Sequence, residues 1–259
     1  MLVDSHCHLD KLKLDEFDGK LDNVVAQATK NSVEHMLCVG VTLEAFPSML
    51  EQVTPFKNVS VSCGVHPLDQ DSIWDQDKLL QLASGEQVVA IGETGLDYYY
   101  AADTRKKQQQ AFVGHLEVAN QLNKPVIIHT RDAKEDTLAI LREGNAERVG
   151  GVLHCFTETW EMAKAALDLG FYISISGIVT FRNASALRDV VKKIPMERLL
   201  VETDSPYLAP VPHRGKQNQP AYVADVARFV ADLKGENYES LAKVTTDNFY
   251  KLFNRIARN

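Results

Sequence analysis

The chain has 259 residues, of which 45% are hydrophobic, and it carries a formal net charge of −7. A chain of this length can bury about three quarters of its unfolded surface around one core, so we expect a single domain over residues 1–259. The acidic balance argues against a broad basic surface that would hold a nucleic acid by charge alone, and a phosphate substrate must therefore be bound locally.

Apolar runs contain or flank all four cysteines, which lack CxxC spacing: Cys7, Cys38, Cys63 and Cys155. This placement favours buried thiols over disulfides. Residues 1–10 have no signal-peptide pattern, and nowhere do about 18 apolar residues follow one another. We therefore expect a soluble, cytoplasmic protein without membrane contact, and a monomer.

Short apolar, β-branched runs alternate with amphipathic segments, which is typical of a parallel sheet built from βαβ units. Eight runs predict strands at residues 2–5, 35–40, 59–65, 88–93, 125–129, 151–154, 171–176 and 199–203. The segments after them predict helices near residues 19–31, 43–53, 75–84, 104–122, 133–143, 159–169, 184–193 and 220–233. A further helix is predicted near residues 237–253.

The count of eight repeats predicts an α/β protein with a (β/α)8 barrel of the TIM type and one extra C-terminal helix. A doubly wound open sheet would show the same alternation, but it should carry a glycine-rich phosphate loop after its first strand. Neither GxGxxG nor GxxxxGK[ST] occurs in the sequence. The barrel is therefore the favoured fold.

Residues that can bind a metal or move a proton lie at or just past the carboxyl ends of six predicted strands. They are His6, His8, His66, Glu93, His129, His154 and Asp204. Barrel active sites are built on that face. One such histidine alone is more often a satisfied core residue than a ligand, but the mixed set of imidazoles and carboxylates predicts a divalent metal centre of a hydrolase.

Seven stretches resemble the signature of the TatD family of magnesium-dependent deoxyribonucleases: VDSHCHLD, CGVHP, GETGLDYYY, KPVIIHTRDA, GVLHCFT, SGIVTFRN and VETDSPYLAP. The resemblance runs from residue 2 to about residue 220. It implies a barrel of the amidohydrolase superfamily and a nuclease with the 3′ to 5′ exonuclease preference of some members. It also implies two divalent ions, one held by His6, His8, Glu93 and Asp204 and the other by Glu93, His129 and His154. Magnesium, manganese and zinc all stay open as the metal.

Two ions of this kind can orient a water in line with a phosphodiester, so no side-chain nucleophile is required. Asp204 is the candidate to orient or deprotonate that water, and Glu202 could support it or could only pair with a core histidine or arginine. His66 could bind a phosphate oxygen or protonate the leaving oxygen, or could be a loop histidine fixed by Pro67.

Short basic islands and tyrosines near the predicted ligands are candidates for holding a nucleic acid. The candidate phosphate contacts are Arg131, Arg182, His213, Arg214 and Lys216, and the candidate stacking rings are Tyr98 and Tyr207, with Tyr99 and Tyr100 beside the first. Solvated surface charges and lid packing are the alternatives. The expected partner is DNA with single-stranded or damaged ends, and RNA and tRNA stay open.

Two other functions stay open at this point. The same metal chemistry would serve an esterase that acts on a mischarged aminoacyl-tRNA, or a hydrolase of cyclic amides. Cyclic-amide enzymes of this superfamily often bridge their metals with a carbamylated lysine, whereas this chain offers Glu93. A metal-stabilised binding module would close its coordination with protein ligands, whereas ligands in an open barrel mouth favour catalysis.

Overall fold

The computed structural model describes residues 1–69 and 74–258. Eight parallel strands form one sheet in chain order. They are β1 Leu2–Cys7, β2 Val33–Val39, β3 Val59–Cys63, β4 Val88–Asp97, β5 Val126–Arg131, β6 Gly151–Leu153, β7 Tyr172–Ile175 and β8 Leu199–Val201. Sequential order with one strand direction brings all eight carboxyl ends to the same face.

The sheet curls until its last strand meets its first. Cys7 forms an isolated parallel bridge with Ser205. Next to it, the backbone nitrogen of Asp204 donates to the carbonyl of His6 at 2.9 Å, and that of His8 donates to the carbonyl of Ser205 at 2.7 Å. The result is a nearly closed barrel, which confirms the predicted fold.

Helices follow the strands, and all but the last cover the outside of the barrel. They are α1 Leu21–Lys30, α2 Phe46–Val53, α3 Gln76–Ala83, α4 Arg105–Leu122, α5 Lys134–Glu143, α6 Trp160–Asp168, α7 Ser185–Lys193, α8 Val223–Lys234 and α9 Tyr238–Leu252. Polar caps start several of them: the side chains of Asp75, Thr159 and Asn237 accept hydrogen bonds from the backbone of the first turn. Within the described residues, no helix has the length and apolar character needed to cross a membrane.

The strand β4 differs most from its prediction. It runs to Asp97 rather than ending at Glu93, so Glu93 lies inside the strand. The pairing of β4 with β5 shifts register between Ile91 and Thr94, and the Gly92–Glu93 peptide bond is cis. The apolar run stops at Gly92, and for that reason the prediction ended the strand too early.

The helix α9 closes the amino-terminal end of the barrel. Its Phe249 and the following Phe253 are fully buried and pack with inward-facing strand residues that include Val3, Leu37, Ile127, Val152 and Leu200. Asn248 Nδ2 donates to the carbonyls of Met196 and Leu199 just before and at the start of β8. The opposite end of the barrel is left for a site.

Candidate metal centre

The carboxyl ends of the strands surround a cavity of about 800 Å³. Its lining includes six of the seven predicted ligand and proton-transfer residues: His8, His66, Glu93, His129, His154 and Asp204. The seventh, His6, is fully buried beneath them. The structure thus brings the whole predicted cluster together, although its members are far apart in sequence.

Glu93 lies at the centre of this cluster, and its Oε1 faces three imidazoles. The distances from Oε1 are 2.6 Å to His154 Nε2, 3.2 Å to His66 Nε2 and 3.3 Å to His129 Nδ1. The sequence offered no metal-binding partner for His66. In the structure, His66, Glu93 and His129 form a group whose ligand atoms all lie within 4.8 Å of one another.

The other oxygen of Glu93 faces a second group. Oε2 lies 3.3 Å from His6 Nε2 and 3.9 Å from His8 Nε2. Asp204 Oδ1 completes this side, at 3.7 Å from His6 Nε2 and 3.3 Å from His8 Nε2. Glu93 therefore separates two sets of donors, which is the arrangement expected of a carboxylate that bridges two ions.

The close approach of β4 to β5 positions Glu93 beside His129. Gly95 has a φ of +132°, and a Cβ there would collide with the carbonyl oxygen of His129. A residue with a side chain would force the two strands apart. The glycines of the GETG motif therefore let Glu93 and His129 face the same cavity.

Burial and the charges of neighbouring side chains determine the pKa values of the cluster. Burial raises the pKa of the Glu93 carboxyl, but the imidazoles of His154, His66 and His6 outweigh that effect and hold the pKa well below its usual range. Burial lowers the pKa of His154, yet the Glu93 and Glu202 carboxylates raise it overall, well above its usual value. The metal-free cluster therefore holds protons that a cation would displace.

The donor set fits divalent ions. Side-chain exposure of the Glu93, His6 and His154 groups is 3%, 1% and 4%, so these polar groups are almost without solvent. His6 Nδ1 and both nitrogens of His154 make no hydrogen bond to any residue that the structure describes. Buried imidazoles that lack aligned hydrogen-bond partners and lie beside a buried carboxylate are suited to binding a cation.

Two carboxylates lie behind the histidines. Asp97 Oδ2 is 3.1 Å from His129 Nε2, and Glu202 Oε1 is 3.4 Å from His154 Nδ1 while accepting a hydrogen bond from the backbone of Cys155 at 2.8 Å. Carboxylates in such positions orient an imidazole and select its tautomer. Asp97 was not singled out from the sequence, although it belongs to the GETGLDYYY stretch.

The loop after β8 is fixed by a residue that sequence reasoning missed. Asn218 is fully buried, and its Nδ2 donates to the carbonyls of Thr203 and Tyr207, at 2.8 Å and 2.5 Å. Its backbone nitrogen donates to the carbonyl of Pro206 at 3.0 Å. Asp204 has a φ of +57°. The hydrogen bonds of Asn218 therefore fix the turn that contains Asp204.

The expectation that Tyr98 stacks on substrate is corrected by the structure. The Tyr98 side chain is buried and does not line the cavity, because its hydroxyl donates to Asp136 at 2.6 Å and accepts from Gln109 at 2.8 Å. Tyr100 lines the cavity instead, and so does Tyr207. The three tyrosines are adjacent in sequence, and their order alone did not show which one reaches the cavity.

The basic loop after β8 does not reach the cavity either. His213 stacks on Tyr222 with ring centroids 3.6 Å apart and lies 3.1 Å from Asp225 Oδ2. The Arg214 guanidinium covers the ring of Phe181 at 3.8 Å. Lys216 and Arg182 are exposed and do not line the cavity, whereas Arg131 does. The loop folds back against α8, so only Arg131 of the five predicted phosphate contacts faces the cavity.

The sequence model of the family described as "TatD related DNase" matches residues 3–254. The "Uncharacterized metal-dependent hydrolase YcfH" of Escherichia coli strain K12 is 58% identical over 252 residues, which cover 97% of this chain and 95% of that protein. The "3'-5' ssDNA/RNA exonuclease TatD" of Escherichia fergusonii is 35% identical over 246 residues, covering 92% of this chain and 94% of that protein.

A solved structure also resembles the fold over its full length. The crystal structure of YJJV, a TatD homologue from Escherichia coli K12, superimposes with a TM-score of 0.89 at 28% identity and covers 98% of both chains. Sequence and structure comparisons therefore agree over almost the entire chain.

Proposed function

The chain belongs to the family of TatD-related DNases and is a metal-dependent hydrolase, and from that premise we propose that it is a nuclease that removes nucleotides from the 3′ ends of single-stranded DNA. The observation that carries the proposal is the Glu93 carboxylate, with each oxygen facing its own group of imidazoles. An exonuclease of this family with near full-length similarity supports the polarity and the single-stranded substrate.

We assign two divalent ions to the cluster. His6, His8, Glu93 and Asp204 would hold one, and Glu93, His129 and His154 would hold the other. Ions in these positions, whether magnesium, manganese or zinc, supply the charge that lowers the pKa of water and offsets the charge on phosphate oxygens.

The chain's own residues then orient the reactants and move the proton. Burial raises the pKa of Asp204, but its hydrogen bond to His8 and the charge of His6 lower it overall, so the carboxylate is ionised at neutral pH. An ionised Asp204 can accept the proton of the attacking water. Glu202 acts as a positioning residue, because it holds the backbone of Cys155 and lies behind His154.

His66 is placed to bind a phosphate or the leaving oxygen. The backbone nitrogen of Leu68 donates to its Nδ1 at 3.1 Å, which leaves the proton of a neutral ring on Nε2. That nitrogen faces Glu93 and the cavity. Arg131, on the rim, is the other candidate for binding a phosphate.

An esterase acting on aminoacyl-tRNA would use the same cluster, so the substrate needs a direct test. Purified protein would be incubated side by side with single-stranded DNA and with D-aminoacyl-tRNA, and release of mononucleotides and of amino acid would be measured. We expect mononucleotides from DNA, with RNA cleaved by the same route. Release of amino acid without release of mononucleotides would show that the protein is a deacylase and not a nuclease.

A further inference from the structure

Two pairs of aromatic and cationic residues face each other across the cavity. Tyr100 follows β4 and Arg131 ends β5, while Tyr207 follows β8 and Lys11 follows β1. All four line the cavity. In an eight-stranded barrel with strands in chain order, β4 and β8 are opposite, and so are β5 and β1. The Tyr100 side and the Tyr207 side therefore flank the Glu93 cluster from opposite directions.

The Tyr100 side presents a cation that lies over two tyrosine rings. The Arg131 guanidinium lies 4.3 Å from the ring centre of Tyr99 and 4.7 Å from that of Tyr100. These rings are 59% and 64% exposed. Among residues 1–69 and 74–258, this guanidinium forms no salt bridge and no hydrogen bond, although its charge acts on the carboxylate of Asp97. Its nitrogens are thus free to bind phosphate, while the rings offer faces to bases.

The Tyr207 side has an exposed ring but a more acidic setting. Tyr207 is 54% exposed, and its ring centre lies 6.1 Å from that of His8. The cation on this side, Lys11, has its Nζ 3.3 Å from Asp10 Oδ2, and Asp69 also lines this part of the cavity. This side suits one base better than a run of phosphates.

We propose that an unpaired strand lies across the cavity, with its body over Tyr100 and Arg131 and its terminal base stacked on Tyr207. The scissile phosphate then lies over Glu93, between the two rings. An internal base of a duplex is stacked on both faces and offers none to Tyr100, so a base-paired end does not fit. The inference rests on the proposed nuclease function and adds to it two base-binding positions and the direction of the strand.

The test combines two substitutions with substrates that lack one base. Tyr207→Ala and Tyr100→Ala would be assayed on intact single-stranded DNA, on the same strand with an abasic terminal nucleotide at the attacked end, and on a strand abasic at the next position. Loss of a stacked base corresponds to roughly 5- to 150-fold in kcat/KM. Comparing each variant with each missing base isolates the pairwise interaction.

We expect Tyr207→Ala to be less active than wild type on the intact strand. On the strand with an abasic terminus, the activity of Tyr207→Ala should be nearly equal to that of wild type. Tyr100→Ala should show this pattern only with the second abasic strand. The Tyr→Phe variants keep the ring and should lose much less activity on the intact strand than the Tyr→Ala variants. Val113→Ala, an exposed position on the outer helix α4, is the control and should behave as wild type on all three strands.

Salt dependence tests the direction of the strand. Arg131→Ala should flatten the log–log salt slope of DNA binding by up to about 0.7 for each phosphate that the variant no longer binds. Lys106→Ala, on the exposed surface of α4, removes an equal charge and should leave the slope unchanged.

Failure of the inference and failure of the proposed function give different results. If wild-type protein releases no mononucleotides from the intact strand, the nuclease function is wrong. If wild type is active but Tyr207→Ala loses equal activity on intact and abasic strands, or loses none, the Tyr207 position is wrong. If Arg131→Ala leaves the salt slope unchanged, the strand does not run over Arg131.

Discussion

Glu93 is the residue on which the two halves of the candidate site meet. Its Oε1 lies 2.6 Å from His154 Nε2 and its Oε2 lies 3.3 Å from His6 Nε2. The residue type and its position after an apolar run were sufficient to place Glu93 among the candidate ligands. The cis peptide before Glu93 and the approach of His66 to its Oε1 were not predictable, because both depend on how β3, β4 and β5 pack.

Glu93→Gln should lower kcat by at least about a hundredfold while the fold is retained. A neutral amide bridges two cations poorly, and loss of residues that only support a ligand already costs about 10- to 100-fold. Kinetics and metal content would be measured on purified protein. The control is Glu135→Gln, at an exposed carboxylate with 78% side-chain exposure. Near wild-type turnover and metal content in Glu93→Gln would show that Glu93 is not a bridge.

Metal affinity should fall as the pH is lowered. Burial lowers the pKa of His8, but Asp204 and Glu93 raise it overall to about 8 in the metal-free protein. A ligand must be a neutral imidazole, so below about pH 8 each bound cation must displace a proton. Affinity should therefore drop by up to about tenfold per pH unit for each proton released. Competition with a chelating dye across this range measures it, and an affinity that is constant or rises towards acid pH would contradict the assignment.

At the scale of elements, the strand ends explain why predicted site residues that are far apart in sequence lie together. His129 and His154 lie at the ends of short apolar runs, and the closed barrel converts that linear pattern into one cluster. Loops were predicted poorly. Tyr98 and His213 had suitable chemistry and position in sequence, but Tyr98 bonds to Asp136 and His213 to Asp225. Local sequence does not show which way a loop side chain turns.

Gly95→Ala should destabilise the protein far more than Gly170→Ala. Both glycines have a positive φ, +132° for Gly95 and +81° for Gly170. A Cβ at Gly95 would collide with the carbonyl oxygen of His129, whereas a Cβ at Gly170 would have no other atom within 4 Å. We expect about 1–2 kcal/mol for Gly170→Ala and more than about 4 kcal/mol for Gly95→Ala. Denaturant unfolding gives both values. Equal losses would show that β4 and β5 can separate without cost.

At the scale of the molecule, one end of the barrel carries the candidate site and the other end contributes to stability. The Glu93 cluster occupies the carboxyl ends of the strands, and α9 fills the other end with Phe249 and Phe253. The sequence predicted an extra helix at the right place in the chain but not its packing, since its apolar face fits any barrel surface equally well. We propose that residues 1–259 fold as one domain and unfold in one transition.

Phe249→Ala should reduce stability without affecting the site. Removing a fully buried phenylalanine typically costs about 3–5 kcal/mol. Phe229→Ala, at a partly buried position on α8, should cost less. Well below the unfolding temperature, kcat and metal affinity of both variants should match wild type. A lower kcat in folded Phe249→Ala would show that the two ends of the barrel are coupled.

Removal and return of metal test whether the Glu93 cluster needs a divalent ion to cleave DNA. Protein stripped with a chelator, with metal content verified, would be incubated with single-stranded DNA while Mg²⁺, Mn²⁺ or Zn²⁺ is added back, and mononucleotide release would be recorded. We expect no release from the stripped protein and recovery with at least one of these ions. Full release in excess chelator, from protein verified to be free of metal, would contradict this expectation.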